Sequence, residues 1–219
     1  KNVILSSSNF QQQMSLDIEN KRLTRYLKKI IVKNKFRLKA NNFYKKNFKK
    51  KDKVLGVHFR GSTYKTARGH AYPSTISEMI KNIYNLLNDF HYDKIFLVTE
   101  EMKYLNALNK EFKDKMVFYD SYRMKDLDSF KIYPRKLHRY KLGEESLIES
   151  LILSKCDGIT FIKSNLTSYA KLVSKKKQNY HEIFFGYNSR NKYIARWKWY
   201  LKYFFPLFFG KIVLIKKNN

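Results

Sequence analysis

An α/β fold with a Rossmann-like, doubly wound and mostly parallel sheet is the class that this 219-residue sequence predicts. Three observations carry that expectation. Short apolar runs recur through the middle of the chain, they are apolar on both faces, and amphipathic stretches of roughly ten to fifteen residues separate them. Strands joined by such helices need right-handed crossovers, which set neighbouring strands parallel. Strands apolar on both faces are those that helices cover on both sides.

In order along the chain, the N-terminal fifty residues read as helical, because Leu16, Leu23, Leu27, Ile30 and Ile31 fall near a helical period with Lys and Arg between them. A Lys-rich stretch, Lys45–Lys53, follows. Val54–Phe59 reads as the first strand, and Ile76, Met79, Ile80, Ile83 and Leu87 make Ile76–Leu87 a helix. Lys94–Val98 is the second strand, Glu101–Phe112 a helix and Met116–Tyr119 the third strand. Beyond a loop rich in Arg and Tyr, Gly143–Lys155 is a helix that buries Leu147, Ile148, Leu151 and Ile152. Gly158 should end the turn after it, Ile159–Ile162 should form the fourth strand, Ser164–Val173 a helix and Glu182–Phe185 the fifth strand. The expected division is a helical segment at 1–50, a Rossmann-like domain at 51–190 and an aromatic, basic segment at 191–219.

Composition narrows the function. Hydrophobic residues make up 43% of the chain, which excludes wholesale disorder. Lys and Arg number 46 against 18 Asp and Glu, a formal net charge of +28, so the surface should seek nucleic acid, anionic lipid or phosphorylated ligands. The wealth of Lys, Asn, Tyr, Phe and Ile also matches an AT-rich codon bias, so charge alone names no partner. One cysteine, Cys156, forbids an intrachain disulfide. With no signal-peptide pattern, it makes the cytoplasm the expected location.

Ligands of parallel α/β sheets bind at the carboxyl ends of the strands, so the loops there hold the candidates. After the first strand comes His58-Phe59-Arg60-Gly61-Ser62-Thr63. His58 and Arg60 share a strand face, an Arg offers phosphate a bidentate fork, and Gly61 lets the backbone turn close to a ligand. The competing reading is an Arg paired with a nearby acid beside a core histidine. After the fourth strand, Ser164-Asn165-Leu166-Thr167-Ser168 opens a helix, where hydroxyls and N–H groups form an anion site or an ordinary N-cap. After the second strand, Glu100 and Glu101 could accept from a nucleobase or favour the next helix dipole. Together these loops make a nucleotide site that lacks both GxGxxG and GxxxxGK[ST].

Val57-His58-Phe59-Arg60-Gly61, then His70 and Pro73, then Ile95–Glu101 resemble the fucosyltransferase superfamily with HxRG or HxRR motifs. That superfamily includes the bacterial nodulation and core α1,6-fucosyltransferases and, more distantly, the protein O-fucosyltransferases. Tyr133-Pro134-Arg135, His138-Arg139, Gly143-Glu144-Glu145 and Leu147-Ile148-Glu149 agree, as do Leu153–Asp157 and Ser164–Thr167. The resemblance covers about two thirds of the chain, Asn47–Ser189. It implies the nucleotide-sugar half of a GT-B glycosyltransferase: a metal-independent, inverting enzyme that moves fucose from GDP-fucose to a glycan or lipid-linked glycan acceptor. No cofactor is implied. Carried over, Arg60 would hold the β-phosphate with His58 beside the nucleotide, Gly61 and Ser62 would line the donor loop, and Ser164, Asn165 and Thr167 would complete the phosphate cradle. Glu100 and Glu101 would sit near the guanine or support its loop.

The sequence departs from that pattern in three ways. Thr63 stands where many relatives have Asp, and no acid follows before His70, which becomes the candidate base. Residues 1–50 are also too few for the second Rossmann half, so a fragment, a minimal variant or a degenerate relative is expected. The alternative function is an inactive relative or a basic module binding nucleic acid or another polyanion.

Other constellations are weaker. Asp126-Leu127-Asp128 spells DxD, the metal motif of another transferase class, but no apolar strand adjoins it. The five histidines form no HExxH pattern, and Ser154 and Cys156 lie in no nucleophile elbow. Trp197–Ile215 is the longest near-apolar stretch, interrupted by Lys198, Lys202, Pro206 and Lys211. Its aromatics surround any helix it forms rather than line one side, and it reads either as an anchor on an anionic inner-membrane surface (197–217) or as a packing helix.

Overall fold

The computed structural model describes residues 31–61, 65, 69–125 and 132–205. The expected helix through Leu16–Ile30, the donor-loop residues Ser62 and Thr63, the DxD at Asp126–Asp128 and the chain after Phe205 lie outside them.

Five strands form one parallel sheet: β1 (Val54–His58), β2 (Lys94–Val98), β3 (Met116–Phe118), β4 (Gly158–Phe161) and β5 (Asn179–Glu182). Their order is β3-β2-β1-β4-β5. The helices are α1 (Asn34–Asn47), α2 (Ile76–Phe90), α3 (Met102–Phe112), α4 (His138–Leu153), α5 (Asn165–Val173) and α6 (Lys192–Phe204). The α/β, doubly wound parallel class is therefore the one observed.

Side chains alternate across each strand, and here both faces are covered. Leu55, Val57, Phe59, Ile95 and Leu97 join Met79, Ile83 and Leu86 of α2 and Leu105 and Leu108 of α3 in one core. Val54, Phe96, Val98, Ile159 and Phe161 join Phe36 and Ala40 of α1, Ile148 and Ile152 of α4 and Ala170 of α5 in the other. All five residues of β1 are buried. Each fully buried large aliphatic or aromatic side chain contributes about 1.5–3 kcal/mol, so Val54, Leu55 and Val57 of β1 and Ile95, Phe96, Leu97 and Val98 of β2 anchor the sheet.

The helices begin where their caps dictate. Thr75 and Glu78 form a reciprocal capping box at α2: Glu78 N–H donates to Thr75 Oγ1 at 3.3 Å, and Thr75 N–H donates to Glu78 Oε2 at 2.8 Å. Ser164 caps α5 by accepting from Thr167 N–H, and Asn191 caps α6 by accepting from Tyr193 N–H.

Several boundaries differ from those the sequence predicts, three of them instructively. Helix α4 starts at His138, before Gly143: Leu137 supplies a left-handed start at φ 55°, and Gly143 rides on the helix with open space beside it. Gly158 opens β4 instead of ending a turn: it pairs with Leu55 and Asn179, and it is glycine because any Cβ there would run into the Tyr92 ring. Strand β5 is the polar Asn179–Glu182, not Glu182–Phe185; it pairs residue for residue with Gly158–Phe161, and Ile183 N–H continues the ladder to Phe161 at 2.8 Å. An edge strand can hold its place with one inward side chain. Here that is His181, whose Nε2 lies 3.1 Å from the Tyr92 hydroxyl.

Candidate functional site

The chain turns from one side of β1 to the other between β3 and β4, so the loops leaving β1 and β4 diverge and open a crevice at their carboxyl ends. His58 ends β1 inside that crevice, only 4% exposed. Its Nδ1 is 3.4 Å from Ser164 Oγ, and its ring also bonds the Ile162 backbone. Burial, reinforced by the neighbouring Arg60 cation, lowers its pKa to about 3, so the imidazole is neutral. Arg60 follows, partly exposed, with its Nε 3.7 Å from Glu100 Oε1. That separation makes an ion pair without hydrogen-bond geometry.

The two acids after β2 part company. Glu100 faces Arg60 at the crevice, whereas Glu101 turns to Lys65, whose ammonium reaches both carboxylate oxygens at 2.8 and 2.9 Å. Lys65 also lies over the Tyr104 ring at 5.0 Å and the Trp199 ring at 5.1 Å. Glu101 and Tyr104 occupy the space a Cβ at Gly61 would need. Gly61 is thus required by packing, and Tyr104 stacks on Phe59 with ring centroids 4.0 Å apart.

On the β4 side, Ser164 is buried and Thr167 Oγ1 donates back to the Ser164 carbonyl at 3.0 Å, so the Thr167 hydroxyl serves the helix cap. Asn165 is exposed, and Leu166 lines the crevice instead. His70 lies within electrostatic reach of Arg60; burial first, then that cation, holds its pKa below the usual histidine value. Its loop is fastened to a segment the sequence reading did not single out. Asn188 N–H donates to the His70 carbonyl at 2.7 Å, and Gly69 N–H donates to the Ser189 carbonyl at 3.3 Å.

The third wall of the crevice, also not assigned from sequence, comes from Ser121, Tyr122 and α4. Arg135 grips Glu145 with both guanidinium nitrogens at 2.6 and 2.7 Å and lies over the Tyr122 ring. One turn on, Glu149 is buried, accepts from Ser121 Oγ at 2.8 Å and lies 3.7 Å from Arg123. Burial pushes its pKa up to about 7 against the pull of that arginine. The i, i+4 spacing of Glu145 and Glu149 placed them on one helix face and was the available signal.

The enclosed part of the crevice is about 120 Å³. A larger cavity of about 480 Å³ opens beside Arg37, Tyr44, Lys155 and Lys176, where the chain approaches the amino ends of β4 and β5. It contains none of the candidate donor-binding or catalytic residues, whereas the smaller crevice gathers His58, Arg60 and Glu100 at the switch point. Among the described residues no cluster of three His, Cys, Asp or Glu side chains could hold a metal ion.

Sheet order and crevice together define a Rossmann-like α/β protein with its candidate site at the topological switch point. No family model matches the chain, and no curated protein matches it. Similar solved structures include NodZ alpha-1,6-fucosyltransferase co-crystallized with GDP, at 18% identity over 72% of this chain and 46% of that one, TM-score 0.48. Another is fucosyltransferase NodZ from Bradyrhizobium, at 14% identity over 71% and 46%, TM-score 0.47. A third is POFUT1 in complex with GDP-fucose, at 12% identity over 63% and 41%, TM-score 0.42. The chain spans less than half the length of each of these structures.

Proposed function

We propose that the chain binds a nucleoside-diphosphate sugar, GDP-fucose by the motif resemblance, and transfers the sugar to a glycan acceptor with inversion and without a metal. The observation that carries this reading is the meeting of Arg60, His58 and the Ser164 helix start at one switch-point crevice. In the reaction the acceptor oxygen bonds to the anomeric carbon, the carbon–oxygen bond to the diphosphate breaks, and the nucleoside diphosphate leaves with the electron pair. The negative charge gathering on that diphosphate would meet the Arg60 guanidinium and the N–H groups of the first turn of α5. His58, held neutral, would act as a hydrogen-bonding partner rather than a cation. His70, also biased toward its neutral form, would take the acceptor's proton.

Thermal unfolding with GDP, with and without EDTA, and with single-stranded RNA tests the reading. At a hundredfold excess over its dissociation constant, a specific ligand stabilises by about 2.7 kcal/mol. GDP should stabilise the chain equally in EDTA. Stabilisation by RNA alone, falling steeply with salt, would establish the polyanion-binding alternative instead.

A further inference from the structure

Helix α6 wears its chemistry inside out. Its inward face is Ala195, Trp199 and Lys202, and Lys202 is only 2% exposed. The Lys202 ammonium lies 2.8 Å from Glu78 Oε2, donates to the Pro73 carbonyl at 3.2 Å and sits 3.6 Å from the Phe185 ring centroid. The outward face carries Tyr193 (81% exposed), Trp197 (68%), Tyr200 and Phe204 (67%). At 3.6 residues per turn these four fall within about 60° of arc. They form one stripe, where the sequence suggested aromatics all round.

A contiguous exposed aromatic stripe marks a surface that something covers. Charge identifies the occupant. After Glu182 the chain holds eight Lys and Arg and no Asp or Glu, and Arg196 and Lys198 stand exposed beside the stripe. Protein–protein interface cores are depleted in lysine, and a second copy of a chain with a +28 charge would be repelled. Aromatic rings at headgroup depth flanked by Lys and Arg are instead the composition of a helix lying on an anionic bilayer. We propose that α6 docks the chain on an anionic lipid surface, with Tyr193, Trp197, Tyr200 and Phe204 entering the headgroup region and Arg196 and Lys198 meeting lipid phosphates. Docking here is peripheral: among the described residues no helix is long and apolar enough to cross a membrane.

The test uses the full chain with mixed phosphatidylcholine–phosphatidylglycerol vesicles against pure phosphatidylcholine, and needs no nucleotide. Binding should require the anionic lipid, and brominated lipid should quench tryptophan fluorescence. Trp197→Phe should remove most of that quenching while binding persists, because Trp199 faces inward. The double variant Trp197→Ser/Phe204→Ser, shown folded by its thermal transition, should lower partitioning roughly tenfold or more. Arg196→Glu/Lys198→Glu should weaken binding to the anionic vesicles. Absence of vesicle binding, binding without quenching, or equal binding by the double serine variant would overturn the proposal. So would a solution dimer that those serines dissolve, since the stripe would then belong to a second copy.

Discussion

Nδ1 of His58, the last residue of β1, stands 3.4 Å from Oγ of Ser164, the residue that caps α5. This contact ties together the two loops that leave the sheet in opposite directions. Ser164→Ala should therefore cost about 0.5–2 kcal/mol through the lost cap and also weaken GDP binding. The ring itself should show no protonation in NMR spectra down to about pH 5, because its folded pKa is near 3. An unfolded histidine takes up a proton near pH 6.5, so His58 favours the fold above that pH and withdraws stability as the pH falls below it. A His58 resonance that titrates near 6.5 would show that the ring is solvated.

Arg60→Ala separates binding from folding. Arg60 is partly exposed and its Glu100 partner is 3.7 Å away, so losing the pair should change stability by less than about 1 kcal/mol. GDP-sugar turnover should fall roughly 10²–10³-fold, the usual scale for removing a stabiliser of developing charge. Turnover within a few-fold of the parent chain would assign the diphosphate to another cation.

Gly61→Ala tests whether the tight turn after β1 is a packing requirement. Its Cβ would collide with Glu101 and Tyr104, and φ at Gly61 is not left-handed, so the penalty is purely steric. Overpacking of this kind costs about 1–3 kcal/mol. An unchanged denaturation midpoint would mean that the Lys65–Glu101 clamp shifts freely.

Glu149 should leave a pH signature on stability. Its folded pKa, about 7, lies above the unfolded value, so the folded chain holds this proton more tightly. Its favourable contribution is complete below about pH 4.5 and is lost as the pH climbs through 7, by up to about 3 kcal/mol. Glu149→Gln keeps the neutral form at every pH, and its stability relative to the parent chain should rise between pH 5 and pH 8. Parallel denaturant curves across that range would contradict the raised pKa.

The centre of the fold could be read from sequence because strands covered on both faces leave uninterrupted apolar runs, as Val54–Val57 and Ile95–Val98 do. Strand β5 could not, because an edge strand paired through its backbone fully buries only His181, and the stronger apolar pattern, Ile183–Phe185, lies just beyond it. In the candidate site, the places of His58, Arg60 and Ser164 were legible because they end a strand, follow that strand into its loop and cap a helix. The spacing of Glu145 and Glu149 put them on one helix face, but their meeting with Ser121 and Tyr122 depends on how α4 lies across the ends of β1 and β2, which no local pattern encodes. The division of labour between Glu100 and Glu101 was equally hidden, since adjacent residues differ only in which neighbour, Arg60 or Lys65, comes within reach.

One oxygen of Glu78 accepts from Thr75 N–H and receives the Lys202 ammonium, both at 2.8 Å. The start of α2 and the inward face of α6, more than a hundred residues apart in the chain, thus share a single acceptor. If α6 lifts away, the capping carboxylate loses its counter-ion; if the α2 cap frays, a buried ammonium is stranded, which costs about 3–5 kcal/mol. The α2 cap and helix α6 should therefore open as one cooperative unit, their amide protons exchanging with a common opening energy rather than two.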